Sequence, residues 1–211
     1  MTVVFKLGGS LLTLPGLAEK IRQVARRRSG ENCLFVVGGG ATADAVRGWS
    51  RVHQLDDETS HWLAISSLDV NRQLLESLTG WSSVILPEDA NQYWMRHREP
   101  LFLDIYRFLR INEPKNPVPL PHNWDVTSDS IAAWTAVHWQ ATELILLKSV
   151  PVPHRLTTCE AARLSLVDSY FPEIARYVAS LSWCNLTDTR VEIHPWNGHE
   201  AEPVDRPGSS Q

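Results

Sequence analysis

An apolar strand running into a glycine turn and then a helix occurs twice within the first fifty residues. Residues 3–7 are a short apolar run with β-branched side chains, and they end in Gly8-Gly9. From Leu14 the apolar residues Leu14, Leu17, Ala18, Ile21, Val24 and Ala25 recur at helical spacing. Three arginines at 26–28 follow in the last turn, where cations suit the helix dipole. "CLFVV", residues 33–37, is a second buried strand and runs into Gly38-Gly39-Gly40. A helix with Ala45, Val46, Trp49 and Val52 along one face follows. Two such units in succession are the βαβ signature of a parallel sheet covered by helices.

The rest of the chain continues in that style. A long helix is expected over 60–78, a strand in "SSVILP" ending at Pro87, and a helix over 88–97. Residues 101–111 fit helix and strand equally, and 112–122 carry four prolines and read as a loop. "NWDVTSDSIAAW", 123–134, opens a helix that reaches about Gln140, and "ELILLKSV" from Glu143 is another buried strand. Residues 155–182 read as mainly helical, "RVEIH" at 190–194 as a last strand, and 197–211 as a frayed polar tail. No internal repeat is present. The expectation is one domain over 1–196, with halves meeting near residue 122.

Composition narrows the classes of function. With 43% hydrophobic residues in 211, a sizeable core forms and disorder is not expected. A net charge of -4 gives no basic field for nucleic acid. Three well-separated cysteines, Cys33, Cys159 and Cys184, read as reduced cytosolic thiols with neither a disulfide framework nor a zinc site. No secretory signal and no apolar run of membrane-spanning length stands out, so a cytoplasmic location is expected. Most of the nine tryptophans are expected in the core, with one or two stacking on a ligand. The eight histidines show no metal-ligand spacing.

Lys6-Leu7-Gly8-Gly9-Ser10 is the first candidate site. A lysine ending a buried strand needs a partner, since burying a bare ammonium is costly. The glycines open backbone N–H groups toward a ligand, a combination that favours a phosphate. The order GxxxxGK[ST] is absent, so this is no Walker A loop. A plain glycine turn with a snorkelling lysine is the other reading. Gly38, Gly39 and Gly40 hold the equivalent place after the second strand, and open α/β sheets bind ligands at such strand ends. Asp44 and Arg47, one helical turn further, either orient a polar substrate or form a surface pair. Within 123–134, Thr127 or Ser128 caps the helix and Asp129 suits its dipole. So many polar groups before an apolar helix also fit the edge of a polar site. Lys148 again ends a buried strand. Asp129, if it lies between Lys6 and Lys148, would hold both ammonium groups, leaving each to meet a phosphoryl oxygen.

In this order, "VFKLGGSLL", "LFVVGGGATADAVR" and "WDVTSDSIAAW" with "TELILLK" resemble the amino acid kinase superfamily over roughly residues 3–150. The last motif is most similar to the branch that holds the kinase of 5-(aminomethyl)-3-furanmethanol in methanofuran synthesis. The resemblance implies an αβα sandwich with a mostly parallel central sheet. It also implies ATP- and Mg²⁺-dependent phosphorylation of a small alcohol or acid, and a homo-oligomer. It places Lys6 on the transferred phosphoryl group, Gly8, Gly9 and Ser10 on ATP phosphates, and Gly38 to Gly40 around the acceptor. Asp129 would organise the lysines, and Trp124 and Asp125 would wall the acceptor pocket. Two features depart from the pattern. Relatives continue the Lys148 strand into an Asp-Val-Asp-Gly type loop, whereas this chain reads Ser149-Val150-Pro151-Val152-Pro153. A later Gly-Gly-Met-x-x-Lys type segment is also missing, so the nucleotide half reads as short and altered.

Overall fold

The computed structural model describes residues 1–116, 118–153 and 155–196. The tail expected to fray, 197–211, lies outside them. Seven strands form one sheet: β1 (Thr2–Leu7), β2 (Asn32–Val37), β3 (Ser83–Val84), β4 (Leu101–Leu103), β5 (Glu143–Lys148), β6 (Leu181–Asn185) and β7 (His194–Pro195). Their order is β3-β4-β2-β1-β5-β6-β7. All neighbours pair in parallel except β6 and β7, which are antiparallel. Helices α1 (Leu17–Arg26), α2 (Gly40–His53), α3 (Asp57–Thr79), α4 (Pro87–Trp94), α5 (Ile105–Asn112), α6 (Ser128–His138), α7 (Thr158–Arg163) and α8 (Phe171–Ala175) connect them. This is the αβα sandwich that the resemblance implies, with the parallel sheet expected from the paired strand–turn–helix units.

The period of two along the strands divides the core. Val3, Phe5 and Leu7 of β1 join Cys33, Phe35 and Val37 of β2 and pack against Leu17, Ile21 and Val24 of α1. Phe5 and Phe35 stack there with ring centroids 4.7 Å apart. Val4, Leu34, Val36, Leu144 and Leu146 face the other way, onto Ile131, Ala132 and Trp134 of α6. Lys6 and Lys148 share that second parity, so both fall on the α6 side. In the register Lys6 sits opposite Leu146, two residues before Lys148. The alternation alone thus brings two lysines to one face at the carboxyl ends of adjacent central strands.

Several elements differ from the sequence expectation. Residues 101–111 are both strand and helix: β4 ends at Leu103, and the Asp104 side chain accepts from the N–H of Arg107 at 3.0 Å to start α5. Within 155–182, where helix was expected, two short helices are followed by β6, which is buried throughout. "LSWCN" lacks β-branched residues and is preceded by no turn signal, which hid it. Of 190–194 only His194 pairs, together with Pro195. On α2 just Val46 of the expected face is buried, while Ala45, Trp49 and Val52 are exposed. The side of α2 turned to α3 is polar instead, with Ser50 Oγ 2.6 Å from Ser60 Oγ. Five tryptophans, Trp94, Trp134, Trp139, Trp183 and Trp196, are core residues. No helix among the described residues is long and apolar enough to cross a membrane.

Candidate functional site

The parity of β1 and β5 and the first turn of α6 together build a buried charge cluster. Lys6 Nζ lies 2.7 Å from Asp129 Oδ1. Lys148 Nζ donates to Asp129 Oδ2 at 2.8 Å and to the Leu166 carbonyl at 2.8 Å. Burial alone raises the Asp129 carboxyl, but the ammonium groups of Lys148 and Lys6 outweigh it and hold the group at about 2. Burial draws Lys148 down to about 8, against the attraction of Asp129. Two ammonium groups share the Asp129 carboxylate, and the buried Asp168 carboxylate also acts on Lys148 and on Asp129, so the cluster holds two charges of each sign. An anion arriving there would meet two ammonium donors.

The two glycine loops lie against each other above this cluster. The Gly8 N–H continues the β ladder to Leu147 O at 2.8 Å, and the Gly38 N–H does the same to Leu7 O at 2.8 Å. Those two donors are therefore engaged in the sheet rather than turned toward a ligand. The N–H groups of Gly9 and Ser10 lie in the first turn of a 3₁₀ helix (Gly9–Thr13), where donors have no intrahelical acceptor. Gly9 and Gly40 meet backbone to backbone. A Cβ on Gly9 would stand 2.1 Å from Gly40 N, and one on Gly40, whose φ is +52°, 2.5 Å from Gly9 O. Ser10 Oγ reaches Ser149 Oγ at 3.0 Å, which ties the first loop to the segment after Lys148. Asn71 of α3 donates to the carbonyls of Gly38 (2.8 Å) and Gly39 (2.7 Å) and fixes the second loop.

A cleft of about 180 Å³ opens beside the loops. Gly9, Ser10, Gly39 and Gly40 form one wall, Ile65, Leu68 and Ile131 an apolar one, and Trp124, Thr127 and Ser128 a third. Asp44 and Arg47 stand at its edge, joined at 2.6 Å, with the Arg47 guanidinium 4.5 Å from the Trp124 ring centroid. The two residues thus form an exposed ion pair, and that pair lines the cleft. Asp125 is exposed and does not line the cleft; its neighbours Asn123, Trp124 and Val126 do.

The cap of α6 comes from elsewhere in the chain. Thr127 occupies the N-cap position, but its hydroxyl accepts nothing there. It donates to Asp168 at 2.8 Å, and the carboxylate of Asp168 also accepts from the N–H groups of Thr127 and Ser130, each at 3.0 Å, and from the Ser130 hydroxyl. Burial, then the nearby Asp129 charge, push the Asp168 carboxyl up. No local motif marks Asp168 or Asn71. His61 was also missed: it is buried, lines the cleft, and stacks on His122 at 4.2 Å. Burial, reinforced by charge on His122, lowers His61 to about 4, so it is a neutral imidazole. Among the described residues no group of three or more His, Cys, Asp or Glu side chains gathers as a metal cage.

The sheet gathers two buried lysines on one aspartate at the carboxyl ends of its central parallel strands, the place where open α/β sheets bind their ligands. The amino acid kinase family model matches residues 1–152, and the chain belongs to that family. The match stops within the proline-bearing segment after Lys148. Solved structures similar in fold include a uridylate kinase from Archaeoglobus fulgidus, with TM-score 0.60 and 18% identity over 90% of this chain and 98% of that one. A UMP kinase from Ureaplasma parvum gives TM-score 0.60 and 13% identity, covering 90% and 92% of the two chains. One from Bacillus anthracis gives 0.59 and 13%, covering 89% and 88%. No curated protein matches the sequence.

Proposed function

We propose that this chain is an ATP-dependent kinase that phosphorylates a small alcohol or acid, with a methanofuran-type precursor as the favoured acceptor. The observation that carries the reading is the Lys6–Asp129–Lys148 cluster, two buried ammonium groups gathered on one carboxylate beside a small cleft. The donor set suits phosphate oxygens: two ammonium groups, a serine hydroxyl and first-turn amides. When bound, ATP supplies the phosphoryl group, and Mg²⁺ arrives with its phosphates. Lys6 and Lys148 would neutralise the charge on the transferring group, and Asp129 keeps both ammonium groups pointed at it. Gly39, Gly40, Ser128 and the Asp44–Arg47 pair would position the acceptor in the cleft. Catalysis of this kind is positioning and charge stabilisation. Lys6→Ala is expected to lower turnover on the order of 10²–10³-fold with the fold intact. Unchanged turnover, measured as ATP consumption across a panel of small alcohols and acids, refutes the assignment.

One observation favours a second reading, a non-catalytic ligand-binding protein on this fold. Ser149 to Pro153 offers no acidic residue and no glycine beside Lys148. Part of it is held by the core instead, with Trp183 Nε1 donating to Val150 O at 2.9 Å. Calorimetric titration with ATP and Mg²⁺ separates the two. Metal-dependent binding supports the kinase, and no heat at millimolar nucleotide supports the second reading.

A further inference from the structure

Four residues of α3 line the cleft: His61, Ala64, Ile65 and Leu68. They stand at i, i+3, i+4 and i+7, which is one face of a helix. Three of them are the small and apolar residues that a buried face calls for, and the fourth is an imidazole. His61 is 4% exposed. Its Nε2 is sealed from water and has no hydrogen-bond partner; Nδ1 has none either, but is not sealed. Of the buried side-chain atoms without a partner among the described residues, Nε2 of His61 is the only one in a residue that lines the cleft. A histidine kept for packing ordinarily bonds at least one ring nitrogen. The other polar side chains around the cleft are mostly committed. Ser10 bonds Ser149, Thr127 bonds Asp168, Asp44 and Arg47 hold each other, and Asn123 Oδ1 accepts from the Asp125 N–H. His122 stacks on His61 at 4.2 Å, 11° from parallel. Both nitrogens of His122 are taken by Glu58 and Glu113, so the stack fixes the plane of His61 without using its nitrogens.

We infer that His61 recognises the small molecule held in this cleft, its Nδ1–H donating a hydrogen bond to an oxygen of that ligand. The ring is neutral, so one nitrogen carries a proton and the other a lone pair. A sealed N–H without an acceptor is costlier than a sealed lone pair, which places the proton on Nδ1, where a ligand can reach it. The volume of about 180 Å³ sets the size of the ligand. A cavity of about 150 Å³ takes a benzene, so one ring with a short substituent fills this one. Ile65, Leu68 and Ile131 suit the apolar body of such a molecule, and His61 suits its oxygen. A ligand without that oxygen would strip water from Nδ1 and return nothing, which is how a single buried donor discriminates. The inference rests on the cleft as the ligand site and holds for a kinase and for a binding protein alike.

Chemical-shift titration of the isotope-labelled full chain, without ATP, tests it. The probes are benzyl alcohol and its oxygen-free counterpart, toluene. Both are expected to shift amides of cleft residues such as Gly39 and Ile65. The readout is the ratio of the two Kd values, followed from wild type to variant, so the general preference of an apolar cleft for toluene cancels. His61→Leu completes the apolar face of α3 and should move that ratio against benzyl alcohol by about 10-fold, the worth of one hydrogen bond. Asparagine carries an N–H group where Nδ1 stands, so His61→Asn should keep the ratio within about 3-fold of wild type. Far-UV circular dichroism of both variants should match the wild type. Benzyl alcohol that shifts no cleft amide of the wild type up to its solubility overturns the inference, and so does a ratio unchanged in His61→Leu. A folded His61→Asn chain that loses the ratio as His61→Leu does overturns it as well. No turnover is measured, so failure of the kinase reading cannot imitate any of these results.

Discussion

Replacing Asp129 by Asn keeps the shape of the side chain and removes the one negative charge between Lys6 and Lys148. The carboxyl sits at about 2 in the folded chain against an ordinary 3.8. At about 1.4 kcal/mol per unit, that difference corresponds to roughly 2 kcal/mol of stability at neutral pH. The isolated ammonium groups left behind add to the loss, since breaking a buried pair from one side costs about 3–5 kcal/mol. The expected destabilisation at pH 7 is therefore about 3 kcal/mol or more. Its pH dependence is the sharper test. In the wild type Lys148 lies at about 8, below its ordinary 10.5, so the folded state binds that proton less tightly than the unfolded chain. Wild-type stability then rises from about pH 8 to 10.5. Without the attraction of Asp129, Lys148 falls further and the variant begins its rise at lower pH. The gap between the two proteins should shrink as pH approaches 8 and stay level above it. It should also close in strong acid, as pH falls through the Asp129 value and the wild type loses the same interaction. Urea unfolding followed by tryptophan fluorescence at a series of pH values reads this directly. A gap under about 1 kcal/mol throughout, or one that stays flat from pH 6 to 9, would falsify the charge-cluster argument.

Other consequences can be checked on stability alone. Asp168→Ala removes the acceptor that caps α6 through Thr127 and Ser130, and should lower stability by about 2–3 kcal/mol in thermal unfolding. Gly40→Ala puts a methyl 2.5 Å from Gly9 O at φ +52° and should cost more than about 2 kcal/mol, whereas Gly80→Ala, with φ +78° and open space around it, should cost about 1 kcal/mol. His122 donates toward Glu58 and Glu113; burial lowers its pKa, but the two carboxylates outweigh burial and raise it above 6.5. Its contribution is then fully present below pH 6.5 and is lost as pH rises through the raised value, a dependence that should vanish in His122→Gln when unfolding is followed against pH.

The central strands and their glycine turns were legible because each carries its own local signal. "VVFKLGG" and "CLFVVGGG" declare burial, length and stop within a few residues, and their repetition implies a parallel sheet. The pairing of Lys6 with Asp129 and Lys148 was legible for a related reason. Lysines at buried strand ends require a carboxylate, and Asp129 stands out among the 24 acidic residues by opening an apolar helix in a motif that resembles the family's. What stayed hidden depends on contacts distant in sequence. β6 is recognisable as a strand only once it sits beside β5, because "LSWCN" is neither β-branched nor turn-bounded. The outward face of α2 misled for the opposite reason. Ala45, Trp49 and Val52 form an apolar stripe that looks like a core face, and periodicity cannot distinguish a core from an exposed apolar face. Asn71, His61 and Asp168 act on the site from α3 and from the segment before α8, at separations no motif spans.

Asp168 also sharpens the interpretation of Asp129. A carboxylate in the first turn of a helix is ordinarily explained by the macrodipole and by the open N–H groups there. In α6 those needs are met by Asp168, which accepts from the backbone of Thr127 and Ser130. A second buried carboxylate beside the first is then unfavourable for the helix alone, and the raised Asp168 carboxyl reflects burial first and that repulsion second. Asp129 is consequently not explained by helix stability, and only the two lysines compensate its burial. Those lysines sit on strands that would pack as well with leucine at either position, given that Leu144 and Leu146 fill the same face. Buried ion pairs of this kind rarely stabilise a fold relative to apolar packing. The cluster is therefore poorly accounted for by stability, and that is the ground for the anion proposed to bind at these two ammonium groups.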